Sequence, residues 1–121
     1  MNGSDDARAV LANPEGVGWT VSATYVKSLG RYLVATEHGA SQRGRISIFE
    51  SENPQGPWRT VFYGELTDRS PRVPLTAFFA NFLPNGFGDG GRRFTLAFTG
   101  KDANDSLNLV DGRFTLDERF R

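Results

Sequence analysis

Residues 52–58 read ENPQGPW, and they lie between the runs RISIF (45–49) and RTVFY (59–63). Both flanking runs are rich in β-branched and aromatic residues, which is typical of strands. Proline cannot donate a hydrogen bond to a sheet ladder, and glycine weakens one. The stretch therefore connects two strands, and it predicts a sheet protein around them.

The connection contains two prolines, a glycine and a tryptophan, and each has an expected role. Pro54 and Pro57 stiffen the turn, while Gly56 allows a tight backbone. Trp58 has two interpretations. Its indole packs against a neighbouring strand or sheet, or it forms a platform on which a sugar ring stacks.

Composition limits the classes of function. The chain has 121 residues, and its 14 Lys and Arg residues equal its 14 Asp and Glu residues, so no overall field favours nucleic acid or an anionic membrane. The absence of cysteine excludes disulfides, thiolate metal sites and a cysteine nucleophile. No apolar run approaches the roughly 20 residues that span a bilayer. The compartment stays open, and an extracellular or periplasmic location is expected only if a signal peptide lies outside this sequence.

Alternation of apolar and polar residues predicts strands along most of the chain, and no segment shows a sustained 3.6-residue apolar period. Low helix content is therefore expected. The predicted strands are residues 20–28, 31–37, 45–49, 59–66, 76–83, 92–99 and 106–116. Two prolines and mixed charge interrupt the pattern after the fourth strand. We expect one domain over residues 1–121, with a first unit at 20–66, a linker at 67–75 and an incomplete second unit at 76–116.

The two units resemble each other. RYLVATEHG (31–39) aligns with RFTLAFTGK (93–101) at a constant offset, so that Arg31 matches Arg93 and Ala35 matches Ala97. Each run follows a turn that contains glycine and precedes a polar loop. The alignment predicts a repeated unit of about four strands, the size of one propeller blade.

The order GRYLVATEHG, ISIFESENPQGPWRTVFY, FFANF and FTLAFTGKDANDSLNLVDGRFTL resembles the closing portion of bacterial five-bladed β-propellers. These belong to an uncharacterised, glycoside-hydrolase-like family that is similar to arabinanase and xylosidase propellers. The resemblance covers about residues 10–116. It implies an all-β, propeller-type fold of about two blades, each an antiparallel four-stranded sheet. Relatives commonly carry an aromatic residue before Gly-Pro-Trp, where this chain has Gln55.

The resemblance also implies a function class. A closed propeller needs roughly 4–8 blades, so the chain would be the C-terminal part of a carbohydrate-acting propeller and would not be catalytic alone. The alternative is a non-catalytic module that binds glycans or forms oligomers. Carbohydrate is the implied ligand, with self-association or companion blades as the implied assembly. No cofactor is expected, although a calcium ion held by carboxylate and carbonyl oxygens stays open.

In relatives, the pocket lies on the face where the first strand of a blade begins and the second ends. The resemblance therefore implies that Glu37, His38 and Arg43 face the pocket in the first blade, and that Lys101 and Asn104 do so in the second. Glu37 and His38 are the candidate catalytic pair, because a carboxylate beside an imidazole can transfer a proton or bind a cation. The alternative is a polar strand end with a solvated histidine.

Two further patterns have simple explanations. Asp102 and Asp105 could form the carboxylate pair of a glycosidase, but KDAND reads more simply as a solvated turn. NGFGDGG (85–91) opens no helix, so it does not predict a phosphate loop, whereas Asp89-Gly90 suits a hairpin turn.

An incomplete ring would leave apolar side chains without a neighbouring blade. We expect the outer faces of the two units to be partly bare and to drive self-association or pairing with a companion chain. The residues expected on these faces are Val21, Leu33, Ile48, Phe79, Phe94 and Phe98.

Overall fold

Two antiparallel sheets form the structure, as the computed structural model shows for residues 21–39, 43–70, 73–74, 76–100 and 106–115. The prediction of an all-β fold is confirmed, and the arrangement is consistent with a partial propeller. Helix within these ranges is limited to one short α-helix and one 3₁₀ turn. The low helix content expected from the sequence is therefore also confirmed.

The first sheet is a four-stranded meander in the order β1-β2-β3-β4. Each strand pairs with the next along the chain, so short connections suffice. The strands are β1 (Val21–Val26), β2 (Arg31–Glu37), β3 (Arg45–Ser51) and β4 (Arg59–Glu65).

The second sheet has three strands, in the order β5-β6-β7. Its β6 strand begins 62 residues after β2 and occupies the same second place in its own meander, as the internal alignment predicted. A 3₁₀ turn at Asp89–Gly91 precedes β6 and confirms the turn expected at Asp89-Gly90. The strands are β5 (Phe78–Phe82), β6 (Arg93–Thr99) and β7 (Asn108–Arg113).

The connection between β3 and β4 is a tight turn, as ENPQGPW predicted. The Gly56 amide donates to the Asn53 carbonyl at 3.0 Å. Gly56 has φ +96°, a conformation that favours glycine because it lacks a Cβ, and the Gly56–Pro57 peptide bond is cis. Proline at the second position of such a turn has its φ already set, which is the role of Pro54.

One apolar core lies between the two sheets. Alternate residues of β2, β5 and β6 point into it, so that Leu33 and Ala35 meet Phe82 and Leu96 in one cluster. Leu33 and Leu96 are almost completely buried. Shared burial of this kind makes each sheet depend on the other for its stability.

The expectation of bare faces is wrong for four of its six residues. Leu33, Ile48, Phe94 and Phe98 are all buried, because the faces that carry them pack against each other in the shared core. Phe79 is half-buried. Val21 is the residue of this set that is exposed, with 56% of its surface accessible.

The segment between the sheets, which includes the predicted linker, contains packed residues. It holds α1 (Leu66–Arg69), and both Leu66 and Val73 are buried in the core cluster. The Leu66 amide donates to the Gly44 carbonyl at 2.9 Å, and the Gly44 amide donates to the Ala77 carbonyl at 2.9 Å. The backbone before β3 thus joins both ends of the connection between the sheets.

Trp58 is half-buried, and its indole lies directly over Gly56, where an added Cβ would come within 2.9 Å of Cδ1. The buried Nε1–H has no hydrogen-bond partner in the structure. A buried donor without an acceptor is costly, so part of the energy gained by burying the ring is lost. The ring therefore packs on its own turn.

We expect Trp58→Ala to lower the free energy of unfolding by about 1–2 kcal/mol, less than for a fully buried indole, because the side chain is only half-buried. Urea unfolding followed by circular dichroism measures the change. Trp58→Phe is the control, since it keeps an aromatic ring and removes the unpaired N–H. A loss for Trp58→Phe as large as that for Trp58→Ala would contradict this account.

Candidate functional site

Polar side chains collect where β1 begins, β2 ends and β5 begins. Ser22 Oγ accepts a hydrogen bond from the Phe82 amide of β5 at 3.2 Å, which ties the first strand of one sheet to the first strand of the other. This end of the sheet pair includes the predicted Glu37 and His38. We use the name polar edge for this group, which consists of the Phe79 backbone amide and the side chains of Ser22, Glu37, His38, Ser47 and Tyr63.

Glu37 is the last residue of β2, and its side chain reaches the second sheet. It is 4% exposed, and its Oε1 accepts a long hydrogen bond of 3.4 Å from the Phe79 amide. Burying a carboxylate is expensive unless donors surround it. Its position facing β5 follows from strand alternation, since Leu33 and Ala35 point into the shared core on the same face of β2.

The Phe79 amide belongs to an irregular part of β5. The register between β5 and β6 shifts between Phe78 and Asn81, so that two residues of β5 oppose one residue of β6. This is a β-bulge, which turns the bulged side chain away from its regular direction. The Asn81 Nδ2 donates to the Phe79 carbonyl at 2.9 Å.

His38 follows β2 and contacts the other side of the first sheet. Its ring is 4% exposed and stacks on Tyr63 of β4, with centroids 3.8 Å apart and planes inclined by 14°. Its Nδ1 lies 2.8 Å from Oγ of Ser47, which is fully buried. The interpretation of His38 as a solvated histidine is therefore wrong.

The two candidate catalytic residues thus make contacts on opposite faces of one strand end. Glu37 contacts the backbone of β5, whereas His38 contacts Ser47 and Tyr63 within the first sheet. Adjacent residues of a strand point to opposite faces, which explains the divergence. The distance from His38 Nδ1 to Ser47 Oγ is that of a catalytic base and its nucleophile. Both residues are buried, however, so a substrate cannot reach the pair.

The remaining candidate binding residues differ in location. Arg43 is exposed beside the start of β3. Lys101 and Asn104 lie outside the residues that the structure describes, as do Asp102 and Asp105. The structure therefore brings Glu37 and His38 together at one end of the first sheet.

The charged side chains near the turn before β6 form a separate, exposed group. Arg113 of β7 donates a hydrogen bond to the carboxylate of Asp89. This hydrogen bond and the positive charge of Arg113 lower the pKa of Asp89 below its ordinary value. The pair lies at the far end of β6 from Thr99, so it is not part of the polar edge.

Within the described ranges, no group of three or more His, Asp and Glu side chains has the geometry to hold a metal ion. The same part of the chain contains no helix with the length and hydropathy needed to cross a bilayer.

Sequence reasoning did not single out Ser47, Tyr63 or Phe79 as members of the site. Ser47 and Tyr63 are ordinary strand positions, and only the register places them opposite each other beside His38. Phe79 did carry a signal, because the doubled phenylalanine at 78–79 breaks the alternation expected of a strand. A broken alternation within a short strand is typical of a bulge.

Comparisons with known proteins identify no relative. No family model, curated protein or solved structure matches the chain.

Proposed function

We propose that this chain forms two consecutive blades of a carbohydrate-acting, glycoside-hydrolase-like β-propeller and that it does not hydrolyse glycosidic bonds alone. The observation that carries the proposal is the architecture: a four-stranded meander is followed directly by a second meander, and the two pack on one core. Successive blades of a propeller have this connectivity. The carbohydrate ligand comes from the family resemblance of the sequence.

The chemistry of the polar edge supports a role in structure and binding. Glycoside hydrolysis requires two carboxyl groups that flank a scissile bond in an accessible cleft. Glu37 is only 4% exposed, and its Oε1 accepts a hydrogen bond from the Phe79 amide, so it does not line an accessible cleft. Glu37 therefore acts as a support for the sheet junction, and the reacting groups of a complete enzyme would come from other blades.

The direct test uses the purified chain with arabinan and xylan. We expect no release of reducing sugar, while calorimetric titration with arabinohexaose or xylohexaose detects binding. Reproducible hydrolysis that Glu37→Gln abolishes would contradict the non-catalytic role. Failure to bind either oligosaccharide would contradict the assignment to carbohydrate.

A second candidate function, an oligomerising β module, is favoured by the outer face of the first sheet. The outer face is the side that points away from the shared core. It exposes large side chains on both edge strands: Val21 and Tyr25 of β1 are 56% and 51% exposed, and Tyr63 of β4 is 43% exposed. Exposed apolar residues grouped on one sheet face are typical of an interface. A second copy of this chain presents the same face and can cover it isologously.

We therefore expect the chain to self-associate at tens of micromolar and Tyr25→Lys to shift it toward the monomer, because a charge on the outer face must lose its hydration when the face is covered. Light scattering after size exclusion measures the mass. The control is Leu107→Lys, which changes an 80% exposed leucine near the other sheet. A monomeric wild-type protein, or equal effects of the two lysines, would rule out this interface.

A further inference from the structure

Phe79 has an unusual backbone conformation. Its φ is +55°, in the left-handed region where a side chain larger than that of asparagine is rare. Cβ crowds the carbonyl oxygen in this conformation, and glycine alone avoids the conflict. A phenylalanine at such a position is therefore strained.

The surrounding residues hold this conformation from both sides. The Phe79 amide donates to Glu37 Oε1 at 3.4 Å, and the Phe79 carbonyl accepts from Asn81 Nδ2 at 2.9 Å. Both peptide groups beside the strained residue are therefore fixed by side chains. Strained conformations that neighbouring groups fix in this way concentrate at ligand-binding and catalytic sites.

Burial alone does not account for the bulge. The residues on either side, Phe78 and Ala80, are buried at 6% and 5% exposure, whereas Phe79 is only half-buried. The bulge thus holds a large ring partly at the surface. The ring packs edge-on against Phe78, with centroids 4.6 Å apart, and this contact sets its orientation.

We propose that Phe79 is a ligand-contacting residue whose ring packs against the C–H face of a sugar at the polar edge. The sugar class rests on the proposed function, and the contact itself rests on the strained, doubly fixed backbone. A sugar ring has an apolar face and a rim of hydroxyl groups. The aromatic ring suits the face, and the neighbouring Asn81 amide, which is half-buried, suits the rim.

The first experiment measures stability and needs no ligand. Phe79→Gly should melt at or above the temperature of the wild-type protein, because glycine adopts φ +55° without strain. Phe79→Ala should melt several degrees below Phe79→Gly, since alanine keeps the strain. The control is Phe78→Ala, which removes a fully buried ring and should lower the melting temperature by ~10 °C or more. A loss for Phe79→Gly as large as that for Phe78→Ala would show a packing residue and overturn the proposal.

The second experiment measures binding of arabinohexaose and xylohexaose by calorimetry. The proposal predicts that Phe79→Gly weakens the binding seen with the wild-type protein by at least about tenfold, although the variant is fully folded. Unchanged affinity in a folded Phe79→Gly variant would overturn the contact and leave the proposed function standing. A wild-type protein that binds neither oligosaccharide would overturn the proposed function together with the sugar class stated for Phe79.

Discussion

Phe94→Ala is expected to lower the free energy of unfolding by about 3–5 kcal/mol, the cost of removing a buried phenylalanine and leaving a cavity. Phe94 is 9% exposed, and its ring contacts those of Phe82 and Phe114. Its ring meets Phe82 edge-on at 5.7 Å and stacks on Phe114 at 4.4 Å. Because a small domain has only about 5–15 kcal/mol of net stability, this single change removes a large part of it.

Chemical denaturation with urea at several temperatures measures the effect. Phe94→Leu is the matched control, since it keeps an apolar side chain and should recover a substantial part of the loss. A loss below about 1 kcal/mol for Phe94→Ala would mean that the aromatic contacts do not hold the second sheet together.

Gly112→Ala is the second large effect, and we expect it to cost about 1–3 kcal/mol through overpacking. Gly112 lies opposite Phe94 in the pairing of β6 and β7. An added Cβ would come within 2.2 Å of Phe94 Cζ, far closer than two carbon atoms can approach. The ring of Phe94 therefore occupies the space that a side chain at position 112 would need.

A matched control and a double mutant separate this contact from a general preference for glycine. Gly64→Ala adds a methyl group to another strand, where the nearest atom is Phe62 Cζ at an ordinary 3.5 Å, and it should cost little. In a Phe94→Ala background, Gly112→Ala should also become nearly neutral, because the ring has gone. Additive losses in the double mutant would contradict the direct contact.

The strands were predictable from the sequence because alternation and turn residues are local signals. ENPQGPW marked one turn, and the match between residues 31–37 and 93–99 placed two strands at equivalent positions. The packing of one sheet face on the other depends on residues far apart in the sequence, so no local pattern predicted it. Leu33 and Phe94 were expected on bare faces, yet the docking of the two sheets buries both.

The candidate site was predictable only in part. Topology correctly placed Glu37 at the end of a strand, but the environment of His38 depends on Ser47 and Tyr63, which reach it through strand register. The left-handed conformation of Phe79 arises from a bulge, whose position depends on pairing with a distant strand. Such features depend on contacts between residues that are far apart in the sequence, so no short stretch of sequence predicts them.

The hydrogen bonds that join the sheets have a consequence for sequence change. Ser22 and Glu37 both accept hydrogen bonds from backbone amides of β5, and neither of these bonds uses a β5 side chain. Every residue except proline supplies such an amide. These two hydrogen bonds therefore constrain positions 79 and 82 only by excluding proline, whereas packing in the core sets the buried β5 residues Phe78, Ala80 and Phe82. On the first sheet the same two bonds need side-chain acceptors, so they depend on the oxygen atoms of Ser22 and Glu37.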